Sequence, residues 1–189
     1  MELADPKIKK AFAWLAKENG EDFLLSDEHC RTRDVFQGRL DHMSREMEVN
    51  PSHKDTYSLV AAIVGELGNN AFDHNLGNWK DEMGIYFTYD IKNRFVVIAD
   101  RGQGVLATLK RVRPELATEN EAIKIAFTEM ISGRAPEQRG NGLKFVEAVV
   151  RDKCLKVYFY SNEGAYIVNN GLREGDTRPI HGVLAILFF

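Results

Sequence analysis

Residues 83–104 read MGIYFTYDIKNRFVVIADRGQG, and the period of the sequence changes there. Residues 83–91 are rich in aromatic and β-branched side chains, 94–99 (RFVVIA) form a short apolar run, and DIKNR at 90–94 has the composition of a turn, so the stretch predicts a β-hairpin. Upstream the apolar residues recur instead at steps of three and four, the helical period. Residues 7–18 carry Ile8, Phe12, Leu15 and Ala16 on one stripe, with Asn19-Gly20 as a stop. Residues 31–49 carry Val35, Phe36, Leu40, Met43 and Met47 before the break at Asn50-Pro51-Ser52. A third helix is expected over 54–75, its inner face drawn from Leu59, Ile63, Leu67 and Ala71. Downstream, a loop from Asp100 leads to helices over 119–130 and 143–152, separated by a Gly, Arg and Pro-rich stretch at 132–142, and then to strands at 156–160, 165–168 and 183–188. This succession predicts an α+β fold with helices on one face of a mostly antiparallel mixed sheet.

Composition narrows the classes further. A chain of 189 residues with 44% hydrophobic and 28% charged residues is of ordinary globular make-up and long enough to bury its own core. We read it as one domain, with residues 1–52 as an N-terminal helical extension and 53–189 as the core. Cys30 and Cys154 make neither a disulfide framework nor a CxxC metal site. No apolar run approaches the roughly 18 residues of a membrane span, and the charges within MELADPKIKKAFAWLAKENG are unlike a signal peptide. A formal net charge of −3 argues against a basic nucleic-acid-binding domain. The expected setting is cytoplasmic, without membrane or nucleic-acid partners. The tail Leu187-Phe188-Phe189 fits a core strand or a dimer edge, the core being the expected place, and a homodimer stays open.

Three short patterns carry chemistry. In GELGNNAFDH, Glu66, Asn70 and His74 are four residues apart; each step turns a helix by about 400°, so they line one face. A carboxylate can take a proton from an attacking hydroxyl or water, and an amide oxygen one turn on can give Mg²⁺ a neutral ligand beside a polyphosphate. Asp100 ends the apolar run and opens DRGQG; a carboxylate buried there needs a dedicated donor, for which adenine's exocyclic amine is suited, and Gly102 and Gly104 let the backbone approach a ligand. Arg139, Gly140, Asn141 and Gly142 precede the helix that begins with Leu143, where free N–H groups and the positive end of the helix dipole suit phosphate. Each pattern alone is common in proteins of any function. Their order and spacing make them a set.

That set resembles the GHKL superfamily of ATPases and kinases, which includes gyrase-type and MutL-type ATPases, sensor histidine kinases and the anti-sigma-factor serine/threonine kinases. The likeness covers about residues 55–168. It implies a Bergerat α/β sandwich, with Glu66, Asn70 and His74 in the N box, Asp100, Gly102 and Gly104 in the first glycine box, and Gly140 and Gly142 in the second. By the same resemblance Asp100 binds the adenine amine, Asn70 ligates Mg²⁺, Gly140 and Gly142 cradle the phosphates with Arg139 and Asn141 beside them, and residues 105–138 form a mobile ATP lid in which Arg134 is a further cation.

Glu66 separates the subfamilies. Gyrase-like ATPases and anti-sigma kinases have a glutamate base here, whereas a histidine kinase needs none and carries a phospho-accepting His followed by an acid; His29, His42 and His53 lack that pairing. With no length for a gyrase-type transducer domain, the layout resembles most closely a stand-alone anti-sigma-type serine/threonine kinase that takes ATP and Mg²⁺ and acts on a protein partner. Two features depart from it: Lys144 stands where many members have glycine, and the N-terminal helices exceed what a minimal kinase needs. An ATP/ADP-switched binding module and a slow ATPase are the alternatives.

Overall fold

The computed structural model describes residues 2–129, 141–169 and 178–189. After a short 3-10 turn, helix α1 spans Pro6–Leu15, started by a proline at its first position and by the Asp5 carboxylate, which accepts the Lys7 amide at 2.8 Å. Strand β1 is only His29–Cys30; α2 spans Arg33–Glu48 and α3 spans Tyr57–Asn75. The hairpin expected at 83–99 is present as β2 (Ile85–Asp90) and β3 (Phe95–Asp100), with Asp90 opposite Phe95 and Ile85 opposite Asp100. Helices α4 (Gly104–Leu109), α5 (Glu119–Thr128) and α6 (Gly142–Asp152) follow, then β4 (Lys156–Ser161), β5 (Gly164–Val168) and β6 (Val183–Phe188).

The fold is α+β, with one six-stranded sheet in the order β1-β2-β3-β6-β4-β5. Among the described residues all its pairings are antiparallel, so the sheet they form is not mixed. The topology explains this. Strands β3 and β4 run in the same direction, and β6 enters between them, antiparallel to both. The last strand is therefore an interior strand and not an edge: Leu187 is 1% exposed and the Phe189 amide is held by the Arg94 carbonyl at 3.1 Å.

Helices lie on both faces of the sheet, not on one. Alternation along the strands sends Ile85, Phe87, Val96, Ile98, Phe159 and Leu187 into a core shared with α2, α3, α5 and α6. The other set, Tyr86, Phe95, Val97, Ala99, Leu184 and Ile186, packs against Ile8, Phe12, Trp14 and Leu15 of α1. Every residue of β3 is buried, as a central strand covered on both faces must be. The first fifty residues thus supply the cover of one face, an edge strand, and α2, whose Phe36, Leu40, Met43 and Met47 pack in the main core.

Helix α1 ends at Leu15, three residues short of the expected end, and the reason lies across the molecule. The carbonyls of Trp14, Lys17 and Glu18 turn to the guanidinium of Arg101, at 2.6, 2.9 and 3.3 Å. Arg101 is wholly buried and paired with Asp81 through Nε to Oδ1 at 2.7 Å and Nη2 to Oδ2 at 2.6 Å. It thereby holds carbonyls at and just past the end of α1, that of Trp14 also accepting the Lys17 amide at 3.3 Å. Among the described residues no helix is long and apolar enough to cross a membrane.

Candidate functional site

The hairpin delivers Asp100 to the end of β3, where it is 2% exposed at the floor of a cavity between α3, α4, α6 and the sheet. Its Oδ1 accepts the Asn75 amide at 2.8 Å and the Gly102 N–H at 2.9 Å. Burial pushes the Asp100 carboxyl up to about 7, against the pull of the Gly102 amide, the Asn75 side chain and the Val183 amide. The cavity encloses about 100 Å³, well beyond the ~10–15 Å³ one water needs, and Ile98, Val105, Leu109, Phe159 and Val183 give it a mostly apolar wall. A flat ring with a few polar edges suits such a space.

The predicted residues divide into those the cavity gathers and those it does not. Asn70, His74, Asp100, Gly104 and Gly142 all line it. Glu66 does not, but it stands beside it: a Cβ on Gly142 would run into its Oε2, and the Asn70 Nδ2 lies 3.4 Å from that point. Gly102 lies behind the wall, where the Asn75 carboxamide leaves no room for a Cβ. Gly104 has φ +82°, a conformation that favours glycine, and opens α4. Arg139, Gly140 and Arg134 lie outside the described residues.

At the end of the cavity away from Asp100, α6 begins. Asn141 is its N-cap, and its side chain makes no capping hydrogen bond to the first turn. The start of α6 lies beside Asn70 and Glu66, and the N-terminal end of a helix favours negative charge. Lys144, on the first turn of α6, is bonded to the Glu129 carbonyl at the C-terminus of α5, so it fastens the two helices together. No cluster of three His, Cys, Asp or Glu side chains able to hold a metal occurs among the described residues. The donor set at this end, an amide oxygen and one carboxylate, is too small to hold a divalent cation alone and fits one that brings phosphate and water ligands with it.

Much of the segment expected as a lid is helical. α4 and α5 share a small core of Leu109, Leu116 and Ala122. Glu119 ties them to the sheet: its carboxylate accepts the Leu106 amide at 3.2 Å, the Ser161 hydroxyl at 2.9 Å and the Asn162 amide at 2.6 Å. Residues 130–138 lie outside the described residues.

Three residues of the site escaped the sequence reading: Asn75, Gln103 and Thr108. Gln103 Nε2 donates to the His74 carbonyl at 2.8 Å and to Thr108 Oγ1 at 3.2 Å, joining the end of α3 to α4. For Asn75 a signal existed. Ile63, Leu67 and Ala71 continue in steps of four to position 75, so a polar side chain falls on the buried stripe. Comparison with known proteins found no family model and no curated protein that matches the chain.

Proposed function

We propose that this chain binds Mg·ATP as a GHKL-type domain and acts as a stand-alone regulatory serine/threonine protein kinase of the anti-sigma-factor type. The observation that carries the reading is the cavity itself. A buried carboxylate, Asp100, stands at one end, and Asn70, Glu66 and the start of α6 meet at the other, with apolar walls between them. An adenine with its amine on Asp100 would direct its phosphates toward the first turn of α6. Asn70 is the side chain placed to ligate Mg²⁺, which when bound neutralises phosphate charge.

Glu66 performs the proton transfer in this account. Its carboxylate accepts the proton of a serine or threonine hydroxyl on a protein partner as that oxygen bonds to the γ-phosphorus. The bond to the β–γ bridging oxygen breaks, and ADP leaves with the electron pair. Glu66→Ala is expected to lower transfer roughly 10²–10⁴-fold while nucleotide affinity holds within about twofold. Titration calorimetry and transfer of a labelled γ-phosphate to candidate partner proteins read the two quantities separately. Transfer unchanged in the variant would remove Glu66 from the chemistry.

One observation favours the switched-module alternative. α4 forms part of the cavity wall and shares its core with α5, so an occupant of the cavity bears directly on that helix pair. A partner that binds differently with ATP and ADP, without any phosphoryl transfer, would select this reading.

A further inference from the structure

We propose that Asn75 is a positioning residue for the nucleotide site, locking the end of α3 to the 100–103 loop so that the Asp100 carboxylate is held at one angle toward the cavity; the proposal rests on the nucleotide reading above. Asn75 is 3% exposed, and its carboxamide is engaged at both ends. Nδ2 donates to Asp100 Oδ1 and to the Ala71 carbonyl, each at 2.8 Å, and Oδ1 accepts the Gln103 amide at 3.2 Å. The partners fix its orientation: two acceptors face the nitrogen and one N–H donor faces the oxygen, so a flipped amide would fail at all three.

Neither an apolar nor a longer side chain meets these demands. Leucine would leave the Gln103 N–H without its acceptor and Asp100 Oδ1 with one donor fewer. Glutamine would overfill a space in which the Asn75 carboxamide already excludes a Cβ at Gly102. The groups that meet Asp100 are Asn75 and the amides of Gly102 and Val183. Of the neighbouring titratable or charged side chains, His74 lines the same cavity, Arg101 is turned away to Asp81, and Glu119 is engaged by Ser161 and Asn162.

Aspartate at this position makes a decisive test, because it keeps the shape but replaces the NH₂ that donates to Asp100 and Ala71 with an oxygen that can donate only while it is protonated. Two carboxylates in contact hold one proton between them at low pH and repel once it is lost. In the wild type, by contrast, Asp100 accepts best when ionised, so affinity rises toward neutral pH. Mg·ATP is titrated calorimetrically into wild type, Asn75→Ala and Asn75→Asp from about pH 5.5 to about pH 8.5, with circular dichroism confirming the fold at each point. Asn75→Ala is expected to lose about tenfold in affinity. Asn75→Asp is expected to bind at the acid end and weaken as pH rises, a slope opposite in sign to the wild type.

Wild-type affinity in Asn75→Ala, or a wild-type slope in Asn75→Asp, overturns the proposal and leaves the nucleotide reading standing. No binding by folded wild type overturns that reading, and the proposal with it. If Asn75→Ala does not fold, the sign of the Asn75→Asp slope decides.

Discussion

Asp100 ends a strand whose every residue is buried, and it is the position where burial and charge conflict most directly. Its carboxyl is held near 7, above the ordinary 3.8, so between those two values the folded chain keeps a proton that the unfolded chain has released. Stability from this group is therefore present at low pH and is lost as pH rises through about 7. Asp100→Asn has no such proton. Its stability relative to wild type is expected to grow from about pH 4 to about pH 7, by on the order of 1–4 kcal/mol, and then level off; urea unfolding across pH reads it. At this scale the sequence disclosed the residues with distinctive chemistry and hid their supports. Glu66, Asn70 and Asp100 stand out in short patterns, whereas Asn75 reads as an ordinary helix-ending asparagine until its place on the buried stripe is noticed.

The elements are joined by contacts distant in sequence, and Arg101 is the clearest of them. It follows Asp100 in the chain yet reaches the opposite face of the sheet, where it holds the end of α1 and the Asp81 carboxylate. Burial raises the Asp81 pKa, but the Arg101 guanidinium and the Gly20 and Glu82 amides outweigh it and hold the group at about 2. This contribution is present above pH 3.8 and is lost as pH falls toward 2. Asp81→Ala leaves a buried guanidinium without its counter-charge and is expected to destabilise the fold by roughly 3–5 kcal/mol, measured by chemical denaturation. A change under about 1 kcal/mol would show that the carbonyls of α1 alone satisfy Arg101. Periodicity placed the main helices and strands within a few residues of their ends. It could not place β1, too short to show an alternation, or α4, a six-residue helix opened by a glycine. It also ran α1 too far, because the arginine that ends that helix lies more than eighty residues on.

At the scale of the whole molecule, the sheet is a shared floor with α1 beneath it and the cavity above it. The continuous apolar run of β3 and the apolar β6 already imply cover on both faces, although the helix pattern alone suggested one. Trp14 of α1 is wholly buried under the sheet, and Trp14→Ala is expected to cost about 3–5 kcal/mol in a thermal or denaturant melt. The layout puts α1 on the lower face and the cavity lined by α3, α4 and α6 on the upper one. The central claim is that this upper site takes an adenine nucleotide. Its most direct test is calorimetric titration of the folded protein with Mg·ATP and Mg·ADP, with Asp100→Asn alongside. The account predicts saturable binding by the wild type that the variant loses, because an amide at position 100 can present its N–H₂ to the adenine amine. No binding by the folded wild type at about millimolar nucleotide would contradict it.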